Sequence, residues 1–414
     1  MKQFISRKLV SVLLTLTLAV SLSLVMAAPV AADTITVNPD GSGDYTTIQA
    51  AINAASPGDT IVVAEGTYEE NVNVTKSVTI DGQGVATLIA GIEYWTGKRG
   101  DGFRVTASDV TITGFTIIGH YDGIVQDFNN PGIIIGGNYP GDMAHLGVER
   151  VTVSDNVFLD SWSAIYVWKS SDNLITGNTI YDMDWRAIQV YDGSSNAQID
   201  EGYPSQDNKI IGNEIYDSWG GLYVGAWGSA SMIRTDNSGT VIQGNYFHDL
   251  TDFAVGFGFT DSTNVDISGN TMENNPYGIC VYGWWVEGGL ADLTDTTVTG
   301  NTIDSNPYGI LIVTGNQWTM EDNEITNNGY GIYVMQSTGI EAHHNNIVGN
   351  IDYGINNGGP NVVDATNNYW DSPTGPSREL PNGKWVGKGD KVSSNVDYTP
   401  WLPQPIEFWH HRAK

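Results

Sequence analysis

Apolar residues in this chain alternate with polar ones in short runs, and the runs recur. Phrases such as "LITGNTI", "KIIGNEI" and "TVTGNTI" share one frame, and their Asn returns at Asn156, Asn178, Asn213, Asn245, Asn270, Asn301, Asn323, Asn345 and Asn367. The successive spacings are 22, 35, 32, 25, 31, 22, 22 and 22 residues, so a period of 22 carries insertions, which is the mark of a solenoid. Upstream, "VTIDGQ" and "VTITGF" place Gln83 and Phe115 at the same phase, and the count reaches about eleven coils.

Within one period the pattern predicts a short alternating strand, the Asn, a second strand, a polar corner, and a third strand such as "YGIYV". Three strands in 22 residues leave room only for tight corners. The expected fold is therefore all-β, a right-handed parallel β-helix with Ile, Val and Leu filling the bore. Asn tolerates the left-handed backbone of a two-residue corner, and stacked amides can join coils about 4.8 Å apart. At the start, "DYTTIQAAINAASPGD" sets Ile48, Ala51, Ile52 and Ala55 on one helical face before Pro57-Gly58, a helix suited to plug the open end. At the other end the period breaks into "NNYWDSPTGP" and "DYTPWL". One domain is expected, with an N-terminal cap over 33–60, coils over 61–365 and a C-terminal cap and tail over 366–414.

Composition narrows the setting. Lys2, Arg7 and Lys8 precede the apolar run Leu9 to Met26 and small residues through Ala32, the layout of a secretory signal peptide over 1–32. No second apolar run follows, so no membrane span is expected after its removal. The remainder loses three of the 18 basic residues and none of the 47 acidic ones, which takes the net charge from −29 to −32. Nucleic acid is excluded as a partner on that charge. The single cysteine, Cys280, can form no internal disulfide. A secreted or cell-surface protein stabilised by backbone pairing and a core fits these facts; oligomeric state is not legible.

The stretch Val37 to Gly84, "VNPDGSGDYTTIQAAINAASPGDTIVVAEGTYEENVNVTKSVTIDGQG", resembles the opening of the pectin-lyase-like superfamily, pectinesterases in particular. The later coils and "NNYWDSPTGP" resemble the NosD-like, carbohydrate-binding surface β-helix proteins of bacteria and archaea. The likeness covers nearly all of the exported chain and implies the β-helix fold. Of the pectinesterase site, Gln126-Asp127 resembles the Gln-Asp pair, while the Asp-Phe-Ile-Phe-Gly phrase is absent. A NosD resemblance implies copper, yet the seven histidines are scattered and no Cys/Met cluster accompanies them.

Chemistry is expected on the "G-I-x-V" strands. Four long excursions, Asp127 to Gly147, Asp192 to Gln206, Gly225 to Asp236 and Gly283 to Thr294, leave at one corner and should stack into a wall bearing Trp227, Trp284 and Trp285. A fifth, Ala90 to Gly100, lies on the other side. With Ile and Val inward, the outward row reads Arg104, Val125, Tyr166, Gln189, Tyr223, Gly256, Cys280, Leu311, Tyr333 and Asn356; a second row adds Trp168 and Tyr191. Aromatic faces beside Gln and Arg donors suit a polysaccharide or cell-surface glycan. Tyr277, Tyr308, Tyr330 and Tyr353 read instead as structural stacks. At the corner before that strand, Asp160, Asp182, Asp217 and Asp249 form a column that either caps turns or binds Ca²⁺.

Two functions stay open. In the catalytic one, Asp182, Asp184 and Arg186 converge with Asp101, Asp122 or Arg104 within about 10 Å, as glycoside hydrolysis or a lyase reaction requires. In the other, a non-catalytic adhesion or envelope module, those charges pair with each other, Arg186 with Asp182 and Asp184 first, and the aromatics lie buried.

Overall fold

The computed structural model describes residues 32–90, 100–119, 131–136, 147–191, 205–225, 236–258, 260–282 and 292–407. The signal-peptide reading, the Gln126-Asp127 pair and most of the five excursions lie outside that set. From Thr34 onward the chain forms one compact unit. Among the described residues no helix is long and apolar enough to cross a membrane.

The chain winds as parallel strands. Eleven of them make one face, ordered along the sequence from Val72–Val74 and Phe103–Val105 to Tyr330–Val334 and Tyr353–Asn357. The other two faces, separated by the Asn corner, are joined in a 24-stranded sheet. Pairing keeps strict register from coil to coil, as in Leu174↔Lys209, Ile175↔Ile210 and Thr176↔Ile211. Alternation then sends Ile175, Ile210 and Ile242 to the bore, where they have at most 1% exposure. The first coils are covered by the helix Ile48–Ala54, whose Ile48, Ala51 and Ile52 are buried. Thr47 caps it by accepting from Ala50 N, and Glu70 accepts from Ile48 N and Gln49 N at 2.9 and 3.0 Å.

The repeating Asn is the seam of the structure. Each Oδ1 accepts from the backbone N of the preceding Asn and from its Nδ2, at 2.8–3.1 Å from Asn156 through Asn345. Each Nδ2 also donates to a carbonyl of the coil before, for example Asn178 to Val153 O at 2.9 Å. The amides are therefore buried and satisfied, with no more than 1% exposure in the column from Asn156 to Asn368.

Four expectations change in detail. The column ends on Asn368 and not Asn367, and so runs one rung into the segment read as the cap. Asn367 takes a left-handed φ of 60° one residue earlier. That role belongs generally to the residue before the Asn: Asp155, Gly177, Gly212, Gly244, Gly269, Gly300, Asp322 and His344 have positive φ, while the Asn turns inward. In the first coils Phe115 N donates to Asn156 Oδ1, but Ala86 is its neighbour, because Gln83 sits in a bulge with φ 56°. Finally, Ile134, not Val125, lies between Arg104 and Tyr166; the strand is Pro131–Gly136, whose "GIII" stands nine residues beyond the "GIVQ" phrase that fits the same pattern.

A second amide column occupies the corner after the second strand in the later coils. Leu250 N donates to Asn275 Oδ1, and the relay passes through Asn306, Asn328 and Asn350 to Asp390. Asp390 accepts from Asn350 N and Nδ2 and from Gly349 N at 2.9, 2.7 and 3.1 Å. Burial pushes its carboxyl up to about 6, although the bonds from Asn350 and Gly349 favour the charged form.

These columns set measurable costs. Asn213→Ala strips acceptors from Asn178 N and Nδ2 and a donor from Ile175 O, and costs about 3 kcal/mol or more in denaturant unfolding. At the neighbouring left-handed position Asp217→Asn stays within about 0.5 kcal/mol, whereas Asp217→Val loses about 1–2 kcal/mol to backbone strain. For Asp390 the folded pKa lies above the unfolded value of about 3.9, so its contribution is complete below about pH 4 and lost as the pH rises through about 6. A carboxyl that holds its proton up to about pH 6 in the folded chain accounts for roughly 3 kcal/mol of stability over that range. Unfolding measured at pH 4 and 7 should show that extra loss in the natural chain and not in Asp390→Asn.

Candidate functional site

The register of the eleven-stranded face fixes which side chains share its outer surface. Arg104, Ile134, Tyr166, Gln189, Tyr223, Gly256, Cys280, Leu311, Tyr333 and Asn356 form one row. A parallel row three residues earlier holds Asp101, Pro131, Ser163, Arg186, Gly220, Phe253, Tyr277, Tyr308, Tyr330 and Tyr353. The later coils are tightly stacked: Tyr277, Tyr308, Tyr330 and Tyr353 lie face to face at centroid distances of 5.2, 5.2 and 6.0 Å. Cys280 and Leu311 are buried beside them.

The earlier coils differ. Trp162, Trp185 and Trp219 stack at 5.6 and 4.1 Å along the entry corner, each half-buried. Next to them Arg186 leans across Gly220, which offers no side chain to stop it. Its guanidinium carbon lies 3.7 Å from the Tyr223 ring centroid, 5.0 Å from Trp185 and 5.9 Å from Phe253. Nε and Nη1 of Arg186 are shielded from solvent and meet no hydrogen-bond acceptor, although the side chain as a whole is partly exposed. On the same surface Gln189 Nε2 donates to Ser163 Oγ at 3.0 Å, and the Tyr223 hydroxyl donates to Gly258 O at 3.2 Å. Burial raises the Tyr223 pKa, and the adjacent Arg186 partly offsets that through its charge and a side-chain hydrogen bond to the phenol.

The predicted site residues divide accordingly. Tyr166, Trp168, Gln189 and Tyr223 are 2%, 5%, 4% and 3% exposed, so these four side chains are buried rather than presented at the surface. The side chains of Asp122, Tyr191, Trp227, Trp284 and Trp285 lie outside the described residues. Arg104 is engaged by Asp101 through Nε at 2.9 Å and Nη2 at 2.6 Å. Asp101 stands three rungs from Arg186 in the same row, roughly 14 Å at strand spacing, beyond the convergence expected for shared glycosidic chemistry.

The corner acids also read differently. Asp160, Asp182, Asp217 and Asp249 have φ between 45° and 56° and are exposed; Asn274, Ser305, Asn327 and Gly349 take the same conformation further along without a charge. The left-handed backbone is by itself a reason for Asp at these positions. No group of three or more metal-ligating side chains gathers among the described residues. The expected pairing of Arg186 with Asp182 and Asp184 is absent among the described ion pairs; those carboxylates face solvent at the corner, and the guanidinium turns to the rings. Partial burial, and secondarily Asp160, raises the Asp184 pKa.

The Trp column and the Arg186 contacts were visible only in part: Trp162, Trp185 and Trp219 follow the corner residues, but their spacing from the Asn varies. Trp185→Ala should remove the exciton couplet of stacked indoles from the circular dichroism spectrum and cost about 2 kcal/mol, read by denaturant unfolding.

Comparison with known proteins places this geometry. PfbA, a surface adhesin of Streptococcus pneumoniae, superposes with a TM-score of 0.54 at 14% identity, over 84% of this chain and 95% of that one, a likeness of fold. A cell surface glycoprotein of Methanothermus fervidus is 28% identical over 158 residues, 34% of this chain and 26% of its own length. A putative pectinesterase/pectinesterase inhibitor of Arabidopsis thaliana is 38% identical over 101 residues, 22% of this chain and 19% of its own length. The chain thus spans only about a quarter and a fifth of these two relatives.

The right handed beta helix region model matches residues 205–369, and the model described as periplasmic copper-binding protein (NosD) matches residues 30–251. The described donors do not suit copper. Cys280 is buried among aromatic and aliphatic side chains, His343 Nδ1 is held at Thr366 O, and His248 Nδ1 at Asp249. The NosD match nevertheless spans more than half of the 414 residues, and with the coil geometry it establishes that the chain belongs to the NosD family of right-handed parallel β-helix proteins.

Proposed function

We propose that this is an exported, cell-surface protein that binds a polysaccharide along the outer face of the eleven-stranded sheet, between Ser163–Trp168 and Phe253–Gly258. The supporting observation is the asymmetry of that face. Its later coils are closed by a tyrosine stack, whereas its earlier coils carry the half-exposed indoles, Arg186, and a buried Gln189–Ser163 pair. A solenoid needs only stacking to persist; unmatched donors in one region are a reason to look for a ligand. The names of the relatives, a cell surface glycoprotein, a surface adhesin and a putative pectinesterase, are consistent with this reading.

A second reading, cleavage of the bound glycan, has one observation in its favour. The Asp184 carboxyl is raised by partial burial and secondarily by the charge of Asp160 on the neighbouring coil, the direction a general acid needs. Asp182 and Arg186 flank Asp184, with Asp101, Arg104 and Asp122 too far or undescribed to join them on present geometry.

A panel of neutral and uronate-containing polysaccharides distinguishes these functions. Affinity electrophoresis should show retention, weakened at least tenfold by Trp162→Ala with Trp219→Ala, with no unsaturated product or new reducing end, with or without Ca²⁺. Turnover that disappears in Asp184→Asn would establish the cleavage reading instead, and failure to retain any polysaccharide would sink both.

A further inference from the structure

We propose that Arg186 is the recognition point for a carboxylate-bearing sugar, a single uronate unit set within an otherwise neutral glycan. The inference rests on the binding site described above and names the chemistry of its ligand. Its basis is an unfinished cation. Arg186 has no carboxylate partner among the described residues, and two of its nitrogens are shut off from water without an acceptor. Apart from its interaction with the Tyr223 hydroxyl, the guanidinium is met by aromatic rings at 3.7, 5.0 and 5.9 Å, which compensate the charge but give Nε and Nη1 no oxygen acceptor. The other described arginines each meet an oxygen acceptor: Arg104 at Asp101, Arg150 at Asp109 and Glu149, and Arg378 at the Ser394 carbonyl.

The fork of a guanidinium matches a planar carboxylate, which supplies two acceptors and one charge together. The flanking rings hold the guanidinium in one orientation, so a carboxylate that reaches its nitrogens meets a donor set that is oriented in advance. A densely charged polyuronate is a poor fit. Asp160, Asp182, Asp184 and Asp217 are exposed at the adjoining corner, and the whole chain carries −29, so every further carboxylate on the ligand meets like charge. Charge repulsion decays over about 8 Å at physiological salt, so acids close along a polyuronate still meet the corner carboxylates, whereas one isolated acid can sit at Arg186. Neutral sugars on either side would lie against the indole edges of Trp162, Trp185 and Trp219.

The test measures binding of the exported chain to three soluble probes by calorimetry: a neutral hexose oligosaccharide, the same oligosaccharide bearing one glucuronate, and oligogalacturonate. The singly acidic probe should bind at least tenfold more tightly than the other two. Arg186→Gln should lose at least tenfold on that probe and less than threefold on the neutral one, with Arg186→Lys between. Arg186→Met should fold with an unchanged or higher Tm, because it removes a buried charge lacking its partner. Equal binding of the acidic and neutral probes overturns the proposal while leaving the glycan-binding reading intact; absence of binding to every probe removes both. A fall of several degrees in Tm for Arg186→Met, with the preference for acid retained in Arg186→Gln, would make Arg186 a structural clamp. Tighter binding of a sulfated probe, or Arg186-dependent capture of a poly-glutamate peptide in place of sugar, would also overturn it.

Discussion

The structure depends on buried asparagine amides that pair each coil with the next. In a solenoid no residue meets its own distant partner by chance, since register between coils has to be set locally at every turn. Here a side-chain oxygen takes the backbone N–H and the amide of the coil before it, and the amide nitrogen gives its second proton to a bore-facing strand. A one-residue slip would leave all of those groups unpaired in an apolar core, as well as turning Ile175, Ile210 and Ile242 outward. The left-handed residue just before each Asn makes the geometry possible by turning the chain so that the amide points inward. From that seam the rows on the outer face follow without further assumption.

A second contrast separates the two halves of the molecule. In later coils the entry corner of the eleven-stranded face repeats the amide device through Asn275, Asn306, Asn328 and Asn350, and a tyrosine stack covers the adjoining row. In earlier coils the same corner holds Ser161, Met183, Ser218 and Leu250, and the amides give way to indoles, while Arg186 and Gly220 replace tyrosine in the row. The earlier corner is not left bare, since Ser218 Oγ accepts from Met183 N at 3.1 Å and donates to Tyr216 O at 2.9 Å, but its local rules differ from those of the later coils, as they can where a surface row serves something other than stacking. Asp390 shows the opposite strategy. It closes the second column by offering acceptors to Asn350 and Gly349 where no further coil can supply them.

Much of this was readable in the sequence because the period is physical. The 22-residue spacing, the alternation and the plug helix each correspond to a coil, a sheet face and an open end that must be covered. Errors arose where two stretches fit one template. "GIVQ" and "GIII" both satisfy the third-strand pattern, and only pairing with Phe103–Val105 and Ser163–Trp168 selects the second. Asn367 and Asn368 are adjacent, and one is needed for the turn while the other enters the column. The Asp column was located correctly by period, but the backbone conformation that by itself favours Asp there is not revealed by the positions of acidic residues. The second amide column was present as paired or neighbouring Asn at Asn274-Asn275 and Asn327-Asn328 and went unread, since the corner residue beside each was the more conspicuous. Arg186 stands out in the sequence but its neighbours do not, because a side chain that folds across Gly220 leaves no trace in local spacing.

Membership of the NosD family and the character of the site point in different directions, and the difference has a physical resolution. A solenoid fold is a frame on which each surface row can change without disturbing the bore, so relatives can share coils and differ in every outward residue. Copper needs several soft or imidazole donors brought to one point. The described rows bring indoles, an amide and a guanidinium to one point instead, while Cys280 is spent on packing and His248 stacks on Tyr216 at 5.0 Å. The frame explains why the family model matches; the rows decide the ligand. Rings beside donors that lack acceptors form a different donor set from the clustered soft or imidazole ligands that copper needs, and a shared frame permits that difference.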